Sequence, residues 1–342
     1  MGYSISILNN IRLNASTEYQ DRIPEATQTN ISAIGQAFET YELLFNEFHA
    51  ALINKIGKTI IYNKMFNNNL ARFKSGSVTS PHDVEEIWID MAKAEGAYDK
   101  DGKNPLGRRT GPDVHVIYHR QNRQDYYAIT IGDIDFIRVF RSEATLDNFI
   151  KSRINAVYSG DARDERLLMK NLLATYKNKA GSASGYFDYE VTDMSAAASK
   201  EAFAKEFVKA VRKAVLDQTV GLSADYNVAG VEKQAETKDL VLFVHKDVLV
   251  EVDVELLAKA FHQSNTDMKV VPLIIPMEDF GSLTDTYALM VEDGWFKVWD
   301  TLMKMEPQRN AQGLFTNYFF HHHQIMSAST FMNAVRFKKS AA

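Results

Sequence analysis

The sequence contains no cysteine, which excludes disulfides, a thiolate nucleophile and every zinc or iron–sulfur site that depends on sulfur ligands. No stretch approaches the ~18 to 20 uninterrupted apolar residues that cross a bilayer. The N-terminal MGYSISILNNIRLNASTEYQDRIPEA has no basic start, continuous apolar block or small-residue cleavage site, so no signal peptide is read. Charge of one sign is also scarce. Lys+Arg 39 against Asp+Glu 44 leave a formal net charge of −5, too mild and mixed to mark a nucleic-acid binder from its overall field. There is no G-x-S-x-G, no P-loop, no glycine-rich loop ahead of a helix and no H-E-x-x-H, so nucleophilic, phosphoryl-transfer and metalloprotease chemistry have no motif to rest on.

What is present describes a soluble globular chain, 342 residues long with 45% hydrophobic and 24% charged residues, enough for roughly two domains or one large domain with insertions. Residues 1–30 alternate polar and apolar and read as an extended arm. From Ile31 the apolar positions 31, 34, 38, 41, 45, 48 and 52 form a helical stripe. Gly35 weakens its first turn, which places the firm part of the helix between Thr40 and Gly57. KTIIY at 58–62 reads as a short strand. The strand-like runs VEEIWIDMA (84–92) and VHVIYHRQNRQDYYAITI (114–131), joined by the turn-rich DKDGKNPLGRRTGP, predict a long hairpin with a basic tip at Lys100, Lys103, Arg108 and Arg109. Such a hairpin cannot bury both faces on its own body and is expected to lie on a neighbouring subunit.

A helix of some thirty residues is predicted after Ser142, with Gly160 and Asp161 as a break or bend, and the Gly/Ser/Ala-rich KAGSASGYFD as its boundary. The second half is α/β in character. It has an amphipathic helix at 202–216, a buried strand at 240–245, a helix at 254–262 capped by Asp253, a strand at 269–275, and strand formers from Tyr287 to Phe337.

Four groups invite a chemical reading. In NYFFHHHQIM (317–326), strand alternation puts His321 and His323 on one face and His322 on the other, half a metal site with no local carboxylate to complete it; packing strand residues are preferred. DKDGKN resembles a calcium loop, but the ligand register places Ala97 and Arg108 where acids are needed. Asp133 with Asp135, and Glu85 with Glu86, read as solvated strand or turn acids rather than an acid–base pair. Arg120 and Arg123 in YHRQNRQDYY suit phosphate contacts or inter-subunit ion pairs, and subunit contact is the reading adopted. No cofactor and no metal is expected.

The run GWFKVWDTLMKMEPQRNAQGLFTNYFFHHHQIMSASTFMNAVRF (294–337) resembles the major capsid proteins of small short-tailed phages of the phi-twenty-nine type. So do ELLAKAFHQSNTDM, ARFKSG, VEEIW, HRQNRQDYY and SRINAVYSGDARDERLLMKNLL, in one order over nearly the whole chain. The resemblance implies an α+β fold of the HK-ninety-seven type: an N-terminal arm and first helix (1–48), a peripheral P-domain (49–75 and 131–185) with its spine helix, an E-loop hairpin (76–130), an axial A-domain (186–325) and a P-domain return strand (326–342). It implies a non-enzymatic shell protein in the virion, assembled in the host cytoplasm. The implied partners are its own copies in hexamers and pentamers, a scaffolding protein, a portal and double-stranded DNA bound without sequence preference, with no membrane. The phi-twenty-nine-type immunoglobulin-like domain is not expected after Phe337. A metal-dependent enzyme using His321 and His323, or a cargo-holding shell of the same fold, are the alternatives.

Overall fold

The computed structural model describes residues 3–40, 68–78, 83–93, 111–134, 143–177, 184–194, 200–252 and 273–340, with isolated positions 44, 47, 48, 66 and 138. The N-terminal residues are helical rather than extended: α1 (Tyr3–Asn14), α2 (Thr17–Arg22) and α3 (Ile31–Thr40). Ile5, Leu8 and Ile11 repeat at three-residue spacing and bury one stripe of α1 against Tyr19, Ile23, Ile31, Ile34 and Phe38. Ile7 beside them gives the sequence its misleading alternation. Side chains then lock the turns: Asn9 bonds both the N–H and the carbonyl of Ala26, and Arg12 donates to the Ile23 and Gln20 carbonyls. Helix α3 runs through Gly35, and Leu44 and Phe48 join the same cluster. The rest of the expected Thr40–Gly57 helix, the 58–62 strand and the 254–262 helix lie outside the described residues.

Along the chain follow β1 (Gly76–Ser77), β2 (Val84–Ile89), β3 (Val114–His119), β4 (Gln121–Gly132), α4 (Glu143–Thr175), β5 (Phe187–Val191), α5 (Lys200–Thr219), β6 (Leu240–His245), α6 (Lys246–Glu251), β7 (Leu273–Met277), β8 (Thr286–Glu292), β9 (Phe296–Asn310), β10 (Phe315–Ala328) and β11 (Ala334–Lys339). The long helix α4 is the 33-residue spine, about 50 Å at 1.5 Å per residue. It does not break at Gly160. Tyr127 packs beside that glycine, where a Cβ would meet the ring at 3.8 Å, and Asp161 is held by partners on the sheet.

A five-stranded sheet, order β5-β11-β8-β6-β7, is covered on both faces. Phe203, Phe207, Val211 and Val215 of α5 fill one side, and Met169, Leu173 and Tyr176 at the end of α4, with Phe73 and Trp295, fill the other. Each fully buried aromatic contributes about 1.5–3 kcal/mol relative to exposure. That two-sided burial explains why β6 and β8 are continuous apolar runs. A four-stranded sheet, order β1-β9-β10-β4, lays its inner face on α4. Strands β2 and β3 form a separate two-stranded ribbon.

Strand pairing divides the chain in two places that its local pattern does not mark. The 114–131 run is not one hairpin arm: it divides at Arg120, so that β3 pairs with β2 while β4 crosses to pair with β10 from Gly132 to Gln121. Residues 296–328 form a hairpin on the β4 sheet, where the inward positions Phe320, His322 and Gln324 meet Tyr158, Asp161 and Glu165 of the spine. Residues 334–339 insert between β5 and β8 in the five-stranded sheet.

Candidate assembly surface and the charged junction behind it

The ribbon carries two faces of opposite character. Its strand register sets Ile87 across from Val116, Ile89 across from Val114 and Glu85 across from Tyr118. Alternation turns these six residues outward together. Ile87, Ile89, Val114 and Tyr118 are each more than half exposed. The opposite face is anchored to the body. Trp88 and Ile117 pack on Phe331 and Val231, and Trp88 also lies over the Lys233 ammonium, 5.4 Å from the ring centroid. Glu86 accepts from His119 Nε2 at 3.0 Å, Lys297 Nζ at 3.0 Å and Ser329 Oγ at 2.9 Å. Burial pushes the Glu86 carboxyl upward, but His119 and Lys297 outweigh it and hold it below the usual carboxylate range. Glu85 and Glu86 are therefore neighbours with different roles, one on the outer face and one in the anchor, and not an acid–base pair.

Behind the ribbon, the spine meets the β4-β10-β9 sheet through a buried polar junction. Alternation along β10 sends His322 and Gln324 inward, and the i, i+4 spacing of Asp161 and Glu165 sets both on one face of α4. His322 is 1% exposed, with Nδ1 2.7 Å from Asp161 Oδ1 and Nε2 3.1 Å from Asp300 Oδ1. Donating from both nitrogens requires the imidazolium. Burial opposes that charge, yet the hydrogen bonds to Asp161 and Asp300 prevail and raise its pKa. Asp300 is likewise pushed up by burial and pulled well below the normal range by His322 and Lys74. Gln324 bridges, donating to Glu165 at 2.7 Å and Asp300 at 2.6 Å. Three cations (Lys74, Arg123, His322) thus face three carboxylates (Asp161, Glu165, Asp300).

Donor atoms of Glu165, Asp300 and His322 come within 4.8 Å of one another, which could in principle hold a metal ion. The Lys74 ammonium already sits 2.8 Å from Glu165 Oε2 and 2.8 Å from Asp300 Oδ1. It fills the position a divalent cation would take, so the donor set does not fit a metal. Among the described residues the carboxylates gather around His322 and not around the outward pair His321 and His323. At His323, partial burial and the neighbouring imidazoles lower the pKa. Its Nδ1 faces the Gln121 amide, which Thr301 orients.

Of the residues expected at a subunit interface, Lys100, Lys103, Arg108 and Arg109 lie outside the described residues. Arg120 is on the surface at the ribbon's base, its Nε 3.0 Å from Asp83. Arg123 is 4% exposed and committed to its own subunit, donating to Asp125, Asp161, Gln324 and Tyr127. Of the adjacent tyrosines, Tyr127 takes part in this internal network, accepting from Arg123 and donating to Asp164. Asp133 is buried beside Arg309.

Comparison with known proteins places this geometry. The family described as Phi29-like phage major capsid protein matches residues 8–338. The major capsid protein of Bacillus phage B103 is 34% identical over 98% of this chain and 72% of its own length. That of Bacillus phage GA-1 is 29% identical over 99% and 70%. Among solved structures, the capsid of Staphylococcus phage Andhra aligns with a TM-score of 0.57 at 11% identity, covering 83% of this chain and 87% of that one. The mature capsid of bacteriophage PhiM1 aligns at 0.52 and 10%, covering 83% and 90%. At that identity the two likenesses speak for the fold alone, an α+β capsid fold of tailed phages.

Proposed function

The chain belongs to the Phi29-like phage major capsid proteins, and from that premise we propose how it closes a shell. It is a structural protein of a phage head and not an enzyme, which sets aside both the metal-dependent enzyme at His321 and His323 and the cargo-holding shell. In our reading the outer face of the β2–β3 ribbon lies on a second copy, and the repeated contact builds hexamers and pentamers around double-stranded DNA held without sequence preference. The basic tip (Lys100, Lys103, Arg108, Arg109) and Arg120 pair with acids of the neighbouring subunit. A scaffolding protein and a portal complete the assembly in the host cytoplasm. The five-stranded unit with α5 is the axial domain, and the spine with the β4-β10-β9 sheet the peripheral one.

The observation that carries this reading is the ribbon itself, whose apolar outer row has no cover among the described residues while its inner face is fixed to the body. Covering each half-exposed aliphatic gives roughly 1 kcal/mol, small singly and large when symmetry repeats it. The test is Ile87→Glu with Val116→Lys. The two positions face each other, so the new charges pair and preserve the ribbon while removing its apolar face. The variant is expected to keep the wild-type circular dichroism and lose particles in negative-stain microscopy and sedimentation. Normal particles would overturn the assignment of this face.

A further inference from the structure

Beneath the ribbon's anchor lies a cluster that the shell-building role leaves unused. Lys233, Glu292 and Asn333 are 8%, 8% and 1% exposed. The Lys233 ammonium donates to both Glu292 oxygens, at 2.8 and 2.6 Å, and lies 3.3 Å from the Met332 sulfur. Asn333 stands directly across the ladder from Glu292, one step beyond the Ala334–Val291 pair, with Glu292 N donating to Asn333 O at 3.1 Å. Facing residues of an antiparallel pair project to the same side. The Asn333 N–H donates to Glu292 Oε2 at 3.2 Å, so Lys233 Nζ and the Asn333 backbone both sit on one carboxylate oxygen.

Both polar atoms of the Asn333 carboxamide are buried and have no hydrogen-bond partner among the described residues. Leaving such a group unpaired costs about 1–3 kcal/mol, which calls for a reason. Trp88 and Phe331 wall the ammonium side of the cluster. A buried amine, a carboxylate in contact with it and an adjacent unpaired carboxamide are the three parts of an amide exchange.

We propose that Lys233 and Asn333 join in an intramolecular isopeptide bond, with Glu292 as the proton-transfer group. Glu292 takes a proton from Nζ, and the freed amine attacks the Asn333 carboxamide carbon. The Nζ–C bond forms and the bond from that carbon to Nδ2 breaks. Glu292 returns that proton to the departing nitrogen and relays to it the second proton released by Nζ as the new amide forms, so that the nitrogen leaves as ammonium. No oxidant, reductant or other co-reactant is needed. The product ties the segment between α5 and β6 to the residue that precedes β11, beside Trp88.

Intact-mass measurement of the purified full chain tests this, followed by peptide mapping. The expected mass is lower than the sequence mass by one ammonia, with one branched peptide joining positions 233 and 333 and no tryptic cleavage at Lys233. Glu292→Gln, which keeps the size and can still accept from Lys233, is expected to restore the sequence mass in chains that remain folded. A wild-type chain at its sequence mass overturns the proposal whatever the variants do. An ammonia loss that maps to a different asparagine also overturns it.

Discussion

Replacing His322 by leucine removes the imidazolium while keeping most of its volume, and so tests the junction between spine and sheet without opening a large cavity. Removing one member of a buried, hydrogen-bonded charge pair costs about 3–5 kcal/mol. Here Asp161 retains Arg123 and Asp300 retains Lys74, which argues for the lower end, about 3 kcal/mol. With an unfolding entropy of about 2.1 cal/mol/K per residue over 342 residues, that loss lowers Tm by roughly 4 °C. His321→Leu and His323→Leu, on the outer face of the same strand, should each stay within about 0.5 kcal/mol of wild type.

The gap between wild type and His322→Leu also depends on pH. Because the folded pKa of His322 is raised, its contribution is fully present below about 6.5 and fades as pH climbs through the folded value. Because that of Asp300 is depressed, its contribution is present above about 3.9 and fades as pH falls through its folded value. Calorimetry of the unassembled chain between those limits should find the widest gap. An equal loss at all three histidines, or a gap that widens towards alkaline pH, would refute a charged His322 at the junction.

Lys74→Ala should destabilise the chain by removing the cation shared by Glu165 and Asp300, and should create a response to added zinc, read as a thermal shift that wild type lacks. Gly160→Ala should raise Tm by about 1 °C, since the added methyl meets the Tyr127 ring at an ordinary 3.8 Å and alanine gains about 1 kcal/mol in a helix. Leu314→Gly should stabilise by about 1 kcal/mol, measured as a higher urea midpoint, because Leu314 holds φ 51° at the tip between β9 and β10 and a side chain in the left-handed region is strained.

Much of the architecture was legible in the sequence where a single period ran uninterrupted. The α5 stripe of Phe203, Phe207, Val211 and Val215, the β6 run and the spine helix emerge where expected, and the ribbon's two strands pair as anticipated. The arm at 1–30 was misread because Ile5 and Ile7 imitate a strand while Ile5, Leu8 and Ile11 set the helix. Gly160 was read as a bend because its local cost is visible in sequence, whereas the Tyr127 ring and the Arg123–Asp161 bond that hold it straight come from residues more than thirty positions away. The junction was missed for the same reason. Alternation correctly turned His322 away from its neighbours, but nothing local said that Asp161, Glu165, Asp300 and Lys74 would meet it. Arg123 looked like a surface cation because Asp161 and Gln324, its buried partners on the spine and β10, are distant in sequence.

The insertion of β11 between β5 and β8 makes the order of synthesis matter. Until residues 334–339 leave the ribosome, β5 has no partner among the described strands and β8 has one open side. An interrupted chain therefore presents raw sheet edges and is marked for proteolysis or aggregation. Once β11 is in place those edges are paired, because it lies in the interior of the sheet. Protease sensitivity of ribosome-bound chains arrested just before and just after Lys339, with enough linker to clear the exit tunnel, should differ sharply within β5. Closure of this sheet thus waits on β11, and a subunit that lacked it would carry open strand edges into any contact with another copy.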